Sequence, residues 1–317
     1  MLSWEHIYEL ALKIAVRPRL KNSQQLQRFD AVRGRYSEVC NRLLNGAQGS
    51  HAVSEGYDWT ELAGSVRHAF RDGVPLGFLA HSTLSFTMVF ARRRGIRLTH
   101  RMLNDVVRVF GKEVTSNLLL EDYIGLPTIT SAAYMTSANR CHHASHLSIY
   151  SQERKRHFWD CASIIEWGGG YGNMARIIRR MNPSVTYTII DLPELLALQY
   201  IYLSSVDGEG NVHVVQPNIT PQLAPGKINL LSSQEAVSKG GGLRCDSFIS
   251  TWAITECPRN TQKFVRGNEF FGARSLFLGS LIDESNYLTD SLAGIGLSRI
   301  TVPTSRGVGQ GHEYWLR

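Results

Sequence analysis

Between Glu166 and Asn173 the chain reads EWGGGYGN, four glycines among eight residues, directly behind the apolar run SIIEW and ahead of NMARIIRRM. Glycine loses more conformational freedom on folding than any other residue, so such a cluster answers to positive φ or to a close backbone approach. An apolar run, a glycine turn and a helical pattern in that order read as strand, turn and helix, which places the turn at the carboxyl end of a strand. The spacing is G-x-G-x-G, through Gly168, Gly170 and Gly172, and a carboxylate, Glu166, lies inside the strand end. A dinucleotide-binding turn instead has its third glycine later, within the helix.

The texture around this turn fixes the rest of the fold class. From Cys161 onward, short apolar runs (SIIEWG, TYTIID, KINLLSS, DSFISTWAI, RSLFLGSLI, SRITVP, EYWLR) are separated in several places by helical stretches such as LPELLALQYIYLSS, PRNTQKFVRGNEFF and NYLTDSLAGI. That alternation argues for βαβ units and a parallel sheet with helices on both faces. The last two runs are joined only by TSRGVGQGH, too short for a helical crossover, and should pair antiparallel. Ahead of this region, WEHIYELALKIAV, LQRFDAVRGRYSEVCNRLL, WTELAGSVRHAF and HRMLNDVVRVFGKEVTSNLLL carry apolar residues at three- and four-residue intervals. The expectation is an α/β chain: a helical domain over residues 1–150, then a Rossmann-like domain over residues 151–317, its parallel sheet ending in an antiparallel C-terminal hairpin.

Composition narrows the function classes. With 317 residues, 43% apolar and 19% charged, the chain has ample material for a core. It holds no uncharged apolar run near the ~20 residues of a bilayer span. MLSWEHIYEL lacks the basic and apolar regions of a signal peptide, so a cytoplasmic location without membrane contact is expected. The five cysteines, Cys40, Cys141, Cys161, Cys245 and Cys257, are odd in number and widely spaced, which reads as reduced thiols and no structural metal. The net charge of +7 is concentrated in residues 1–150, with 18 Lys+Arg against 12 Asp+Glu, and its densest knot is ARRRGIR, Arg92 to Arg97. Without the aromatic interleaving of an RNA-binding sheet, this reads as a solvated face rather than a nucleic-acid surface.

A second motif, YTIIDLP, places Asp191 at the end of the second strand, 25 residues after Glu166. A carboxylate there can accept hydrogen bonds from the ribose hydroxyls of a nucleoside. Leu192 can pack on a purine face, and Pro193 can open the next helix, where its missing N–H is harmless. EWGGGYG followed by IIDLPEL resembles the class I S-adenosylmethionine-dependent methyltransferases over residues 150–317. With STWAITE, the motifs are similar to the sugar O-methyltransferases and, beyond them, to the N-methyltransferases of aminoglycoside biosynthesis of the gentamicin type. The resemblance implies S-adenosylmethionine as cofactor, with S-adenosylhomocysteine as product. It also implies a cofactor site of Glu166, Gly168, Gly170, Gly172, Asp191 and Leu192, with Ser232, Ser233, Gln234 and Thr251 along the strand ends. The front helices would act as lid and dimerisation element of a homodimer.

Ligands of open α/β sheets lie beyond the carboxyl ends of the strands. The polar residues expected there are Thr251, Trp252, Thr255 and Glu256, then Asp283 and Glu284, then His312 and Glu313, with His142, His143, His146 and Tyr150 from the segment entering the sheet. A sugar hydroxyl is too weakly acidic to ionise unaided and needs a positioned base, whereas an amine need only be neutral. Glu256, His142, His146 and Asp283 are the candidate catalytic groups. Tyr150, Trp252, Glu284, His312 and Glu313 are the candidate substrate contacts. The strand-tip carboxylates favour a cationic acceptor, so the expected activity is methyl transfer to a sugar or aminosugar, at oxygen or nitrogen, in natural-product biosynthesis. The alternative is O-methylation of a phenolic small molecule. D-L-P is shared with the plant enzymes of that type, but their catalytic histidine after the fifth strand has no counterpart in LIDESNY.

Overall fold

A computed structural model describes residues 23–45, 59–85, 88, 92–217, 220–281, 288, 292, 296–302 and 312–317. The helices are α1 (Gln24–Val32), α2 (Tyr36–Leu44), α3 (Trp59–Phe70), α4 (Ser82–Ser85), α5 (Arg92–Leu119), α6 (Ala138–Arg154), α7 (Asn173–Met181), α8 (Pro193–Asp207), α9 (Ser233–Lys239), α10 (Ala253–Glu256) and α11 (Arg259–Gly267). The strands are β1 (Ile129–Ser131), β2 (Thr136–Ser137), β3 (Ser163–Trp167), β4 (Thr186–Asp191), β5 (Val212–Val214), β6 (Ile228–Ser232), β7 (Ser247–Thr251), β8 (Ser275–Leu281), β9 (Ser298–Val302) and β10 (His312–Leu316). β1 and β2 form a small hairpin; the others form one eight-stranded sheet in the order β5-β6-β4-β3-β7-β8-β10-β9.

The sheet is parallel from β5 to β8. β10 then runs antiparallel between β8 and β9, so the expected hairpin is present and its second strand is the one that joins the sheet. Neighbouring residues on each strand face opposite cores. Ile164, Ile189, Leu230 and Ile249 point to one side, and Ile165, Ile190, Leu231 and Phe248 to the other. A sheet buried on both faces has no polar face to show, which is why its strands read as unbroken apolar runs. The second core is closed by Ala236 of α9, Val265 of α11 and Phe270 and Phe271.

Helix α8 joins the two halves of the molecule. Residues 193–206 are all buried, as expected of a helix apolar on every side. One side packs on the sheet and the other is covered by α1 and α2, with the Tyr36 hydroxyl donating to the Glu194 carbonyl (3.2 Å). One continuous apolar core therefore runs from Phe29 and Tyr36 through Tyr202 to Ile189 and Ile249. The boundary expected at 150/151 falls inside α6, whose start is capped by the Ser137 hydroxyl accepting from Arg140 N–H.

Other expectations shift as well. The helix read over 100–120 begins earlier and is broken at Gly111 (φ +72°). Strand β5 is a three-residue edge that carries no pattern of its own. WEHIYELALKIAV lies outside the described residues, as does most of NYLTDSLAGI. Of ARRRGIR, the backbone of Arg92–Arg97 opens α5.

A buried ion network bolts α6, α7 and α8 to the chain that follows α5. Asp122 accepts from Arg140 (2.8 Å), Arg176 (2.9 Å) and Arg180 (2.9 Å). Glu121 pairs with Arg140 (3.1 Å), and Asp207 with Arg176 (3.0 Å) and Arg179 (3.3 Å). Burial alone would raise the Asp122 carboxyl, but the three guanidinium groups outweigh it and hold the group well below the carboxylate range. The network anchors the middle and last turn of α7, the helix that the glycine turn opens.

Candidate cofactor and acceptor site

From β3 the chain builds β4, β5 and β6 to one side, then returns to lay β7, β8 and the hairpin on the other. The reversal lies between β3 and β7, and a crevice opens at such a switch point beyond the carboxyl ends of the strands. The glycine turn stands on its β3 side. Gly168, Gly170 and Gly172 have φ of +79°, +56° and +96°. A Cβ on Gly168 would lie 2.0 Å from the Ala253 Cβ, and one on Gly169 2.6 Å from Ile189 Cγ2. A Cβ on Gly172 would press on Leu203 at 3.1 Å. At Gly170 a Cβ would meet nothing within 4 Å. Three glycines thus serve packing within the protein, and only Gly170 turns bare backbone toward open space.

Asp191 is wired into this turn. Its Oδ2 accepts from Gly169 N–H (2.9 Å) and Gln199 Nε2 (2.8 Å), and its Oδ1 from Leu192 N–H (2.8 Å). Gln199 Nε2 also donates to the Gly170 carbonyl (2.9 Å). A carboxylate oxygen accepts about two hydrogen bonds, so Oδ2 is saturated and Oδ1 keeps one position. Burial pushes the Asp191 carboxyl up to about 6, against the pull of Leu192, Gln199 and Gly169. Glu166 lies under the turn, 3.4 Å below the Cβ position of Gly169, and accepts from the Tyr187 hydroxyl (2.9 Å). Burial raises it to about 8, the Tyr187 bond opposing.

On the β7 side, Trp252 has φ +69°, a conformation that costs a non-glycine residue on the order of 1–3 kcal/mol. It is held by its N–H to the Gly279 carbonyl (2.8 Å) and by its own carbonyl, which accepts from Thr255 N–H (3.0 Å) and Thr255 Oγ1 (2.7 Å). This turn carries the indole over α6, where it stacks on His142 at 5.5 Å and 20°. His146 lies behind, 4.1 Å from the His142 ring centroid, its Nδ1 3.1 Å from the Tyr314 hydroxyl. His143 abuts the turn itself through Asn173 (3.0 Å), the first residue of α7. Helix α6 thus sets His142 and His143 between Trp252 on one side and the glycine turn on the other, with His146 fully buried behind them.

The other expected residues are placed as follows. Leu192 caps α8 and is partly buried, with Pro193 as the first helical residue. The segment SSQEA behind β6 opens α9; the Ser232 hydroxyl accepts from Glu235 N–H (3.2 Å) as its cap, and Ser233 and Gln234 follow in its first turn. Thr251 ends β7 opposite Gly279. Glu256 ends α10 half-buried, its carboxyl raised by burial.

Tyr150 is corrected: it lies in the core, edge-on to Phe158 (4.9 Å), with its hydroxyl bonded to the Arg317 carbonyl (3.3 Å) and Arg156 Nε (3.2 Å). Glu313 is also corrected. It is buried against Arg299 (2.5 Å) and accepts from Trp315 Nε1 (2.9 Å), so its charge is spent inside the hairpin. Of His312 the backbone pairs with Leu281 and Val302; Asp283 and Glu284 lie outside the described residues. The reading of residues missed Gln199, Asn173 and the Asp122 network, since a polar residue's worth here depends on what the fold sets beside it. No group of three metal-ligating side chains occurs among the described residues. No described helix is long and apolar enough to cross a membrane.

Strand order and connections define a doubly wound α/β protein whose topological switch point lies between β3 and β7. No sequence-family profile and no curated protein matches the chain. Among solved structures it is similar to PigF with SAH, at 16% identity and a TM-score of 0.28 over 40% of this chain; it spans 38% of PigF's length. It is similar to the mitomycin 7-O-methyltransferase MmcR, at 14% identity and a TM-score of 0.36 over 70% of this chain and 67% of that one. It is likewise similar to an O-methyltransferase family protein from Burkholderia thailandensis, at 12% identity and a TM-score of 0.36 over 95% and 97%. At such values the likenesses add nothing to what the strand order and the crevice establish.

Proposed function

We propose that this chain is a methyltransferase that moves the methyl group of S-adenosylmethionine to a hydroxyl on an aromatic small molecule. The observation that carries the reading is the pairing of two unlike walls across one crevice: bare Gly170 backbone beside Asp191, and the Trp252–His142 stack opposite. Bound there, S-adenosylmethionine supplies an electrophilic methyl group. The residues fit it. Gly170 leaves room for a ligand against the main chain, and Asp191 Oδ1 has one acceptor position for a ribose hydroxyl. The bonds from Gly169 and Gln199 hold that carboxylate before any ligand arrives, so its orientation costs little at binding.

The expectation of a cationic aminosugar rested on strand-tip carboxylates. Glu313 is neutralised by Arg299, and the rings of His142, His146 and Trp252 converge instead. Flat apolar faces suit an aromatic acceptor, and a phenol, ionising near pH 10 like tyrosine, is within reach of a histidine base where an alcohol is not. In this reading His142 takes the acceptor's proton, His146 packs behind it and Glu256 stands at the rim. A homodimer through the front helices belongs to the same reading by resemblance, and sedimentation velocity tests it.

Two measurements test the function. Calorimetry with S-adenosylhomocysteine should show binding, weakened at least tenfold by Asp191→Ala; unchanged affinity refutes the ribose assignment. A panel of phenols, glycosides and aminoglycosides with isotope-labelled cofactor, read by mass spectrometry, should yield methylated phenols. Products confined to glycosides or aminoglycosides would return the acceptor to the sugar class.

A further inference from the structure

Helix α6 sets three histidines side by side next to Trp252 and the glycine turn, and hydrogen bonding makes one of them chemically unlike the others. Asn173 Nδ2 lies 3.4 Å from the Asn139 carbonyl and 3.0 Å from His143 Nδ1. The amide orientation follows from the first contact: a carbonyl can only accept, and turning the amide over would set two oxygens against each other. The nitrogen of Asn173 therefore faces both partners, and His143 Nδ1 is the acceptor of an N–H. A neutral imidazole that accepts at Nδ1 carries its proton on Nε2.

The neutral state is also enforced. Arg140, one turn back on α6, carries a fully buried positive charge, and His142 and His146 are the other titratable rings beside His143. From α7 the group facing it is Asn173, which can donate to a neutral ring but offers no charge to an imidazolium. Burial, with Arg140 adding to it, lowers His143 to about 3. Residue 143 is half-buried, between the fully buried Arg140 and His146 of the same helix.

We infer that His143 is a locked hydrogen-bond donor, presenting Nε2–H to an oxygen of the methyl acceptor, and that Asn173 is the positioning residue that sets its tautomer. It does not take the acceptor's proton. It selects acceptors with an oxygen that can receive a hydrogen bond when the ring lies on the Trp252–His142 wall. This rests on the proposed function for its substrate but not for its tautomer.

The tautomer is read directly, in the wild-type protein labelled with 15N-histidine, by long-range proton–nitrogen NMR. One histidine, assigned by its loss in His143→Gln, should show the Nε2–H form unchanged from pH 5 to pH 8. An Nδ1–H form, or a titration within that range, overturns the inference, whatever is found about methyl transfer. For an acceptor that the panel identifies, His143→Phe should raise KM by tenfold or more and leave the pH profile of kcat in place, while His143→Gln, which keeps a donor, recovers most of the loss. Loss of the acidic limb in both variants, or equal inactivity of the two, would make His143 the base and refute the donor role. Failure of every acceptor to react counts against the proposed function, while the NMR result still decides the tautomer.

Discussion

At Gly168 and Gly170 one residue type does two different jobs, and substitution separates them. Gly168→Ala would drive a Cβ to 2.0 Å from Ala253 in a backbone with φ +79°. With both loops fixed by strands, the loss should be at least about 3 kcal/mol, read by chemical denaturation. Gly170→Ala meets no atom, so its cost should be only the roughly 1–2 kcal/mol of a left-handed alanine. Its methyl enters the space assigned to the cofactor, and S-adenosylhomocysteine affinity should fall more than tenfold. Equal affinity in Gly170→Ala would mean the open space is not the ligand's. Glu166 carries a pH prediction. Its folded carboxyl, raised to about 8 from 4.5 by burial, keeps a proton that the unfolded chain releases, so stability falls as pH rises through that window. His143 is lowered to about 3 from 6.5 and acts oppositely, its contribution present above 6.5 and lost as pH falls toward 3. Above pH 6.5 only the acid effect remains, worth on the order of 2 kcal/mol by pH 8. Thermal melts should show wild type losing stability from pH 6.5 to 8 and Glu166→Gln losing much less.

Among the elements, α6, α7 and α8 depend on charges that no local pattern announces. Asp122 serves three arginines from two helices in a buried site. Asp122→Asn keeps the shape but strips the compensating charge, and should destabilise by about 3–5 kcal/mol in urea denaturation. A change under 1 kcal/mol would show the arginines to be neutralised by Glu121 and Asp207 alone. The elements themselves were largely legible. Strands β3, β4, β6, β7, β8, β9 and β10 and helices α7, α8 and α11 lie where apolar periodicity and Gly or Pro punctuation placed them. The misses have physical causes. β5 is three residues long and is a strand only because β6 offers it an edge. The break at Gly111 is a backbone choice that a helical apolar pattern passes over. Ser232 and Ser233, expected only at a strand end, also start a helix, because the Ser232 hydroxyl caps its first turn.

For the whole molecule, the front helices are not a detachable lid. α1 and α2 cover the outer side of α8, and α8 is apolar on every side. A chain beginning at residue 151 would expose that side and lack most of α6, so it should lack cooperative unfolding and bind a dye for exposed apolar surface; a two-state fragment with native-like melting would show the domains to be separable. The candidate site was only half legible, for a reason of scale. The G-x-G-x-G turn, Asp191 and the alternating strands are local in sequence: spacing alone sets a glycine turn at a strand end and a carboxylate at the tip of the next. From these the α/β fold class, the antiparallel ending and the position of the crevice follow. The acceptor wall and the fate of each charge were left to tertiary structure. His142 meets Trp252 across 110 residues, Glu313 spends its charge on Arg299, and Asn173 chooses the proton position of His143. Hydrogen bonds and ring contacts act over only a few ångströms, and only the closed fold determines which groups come that near.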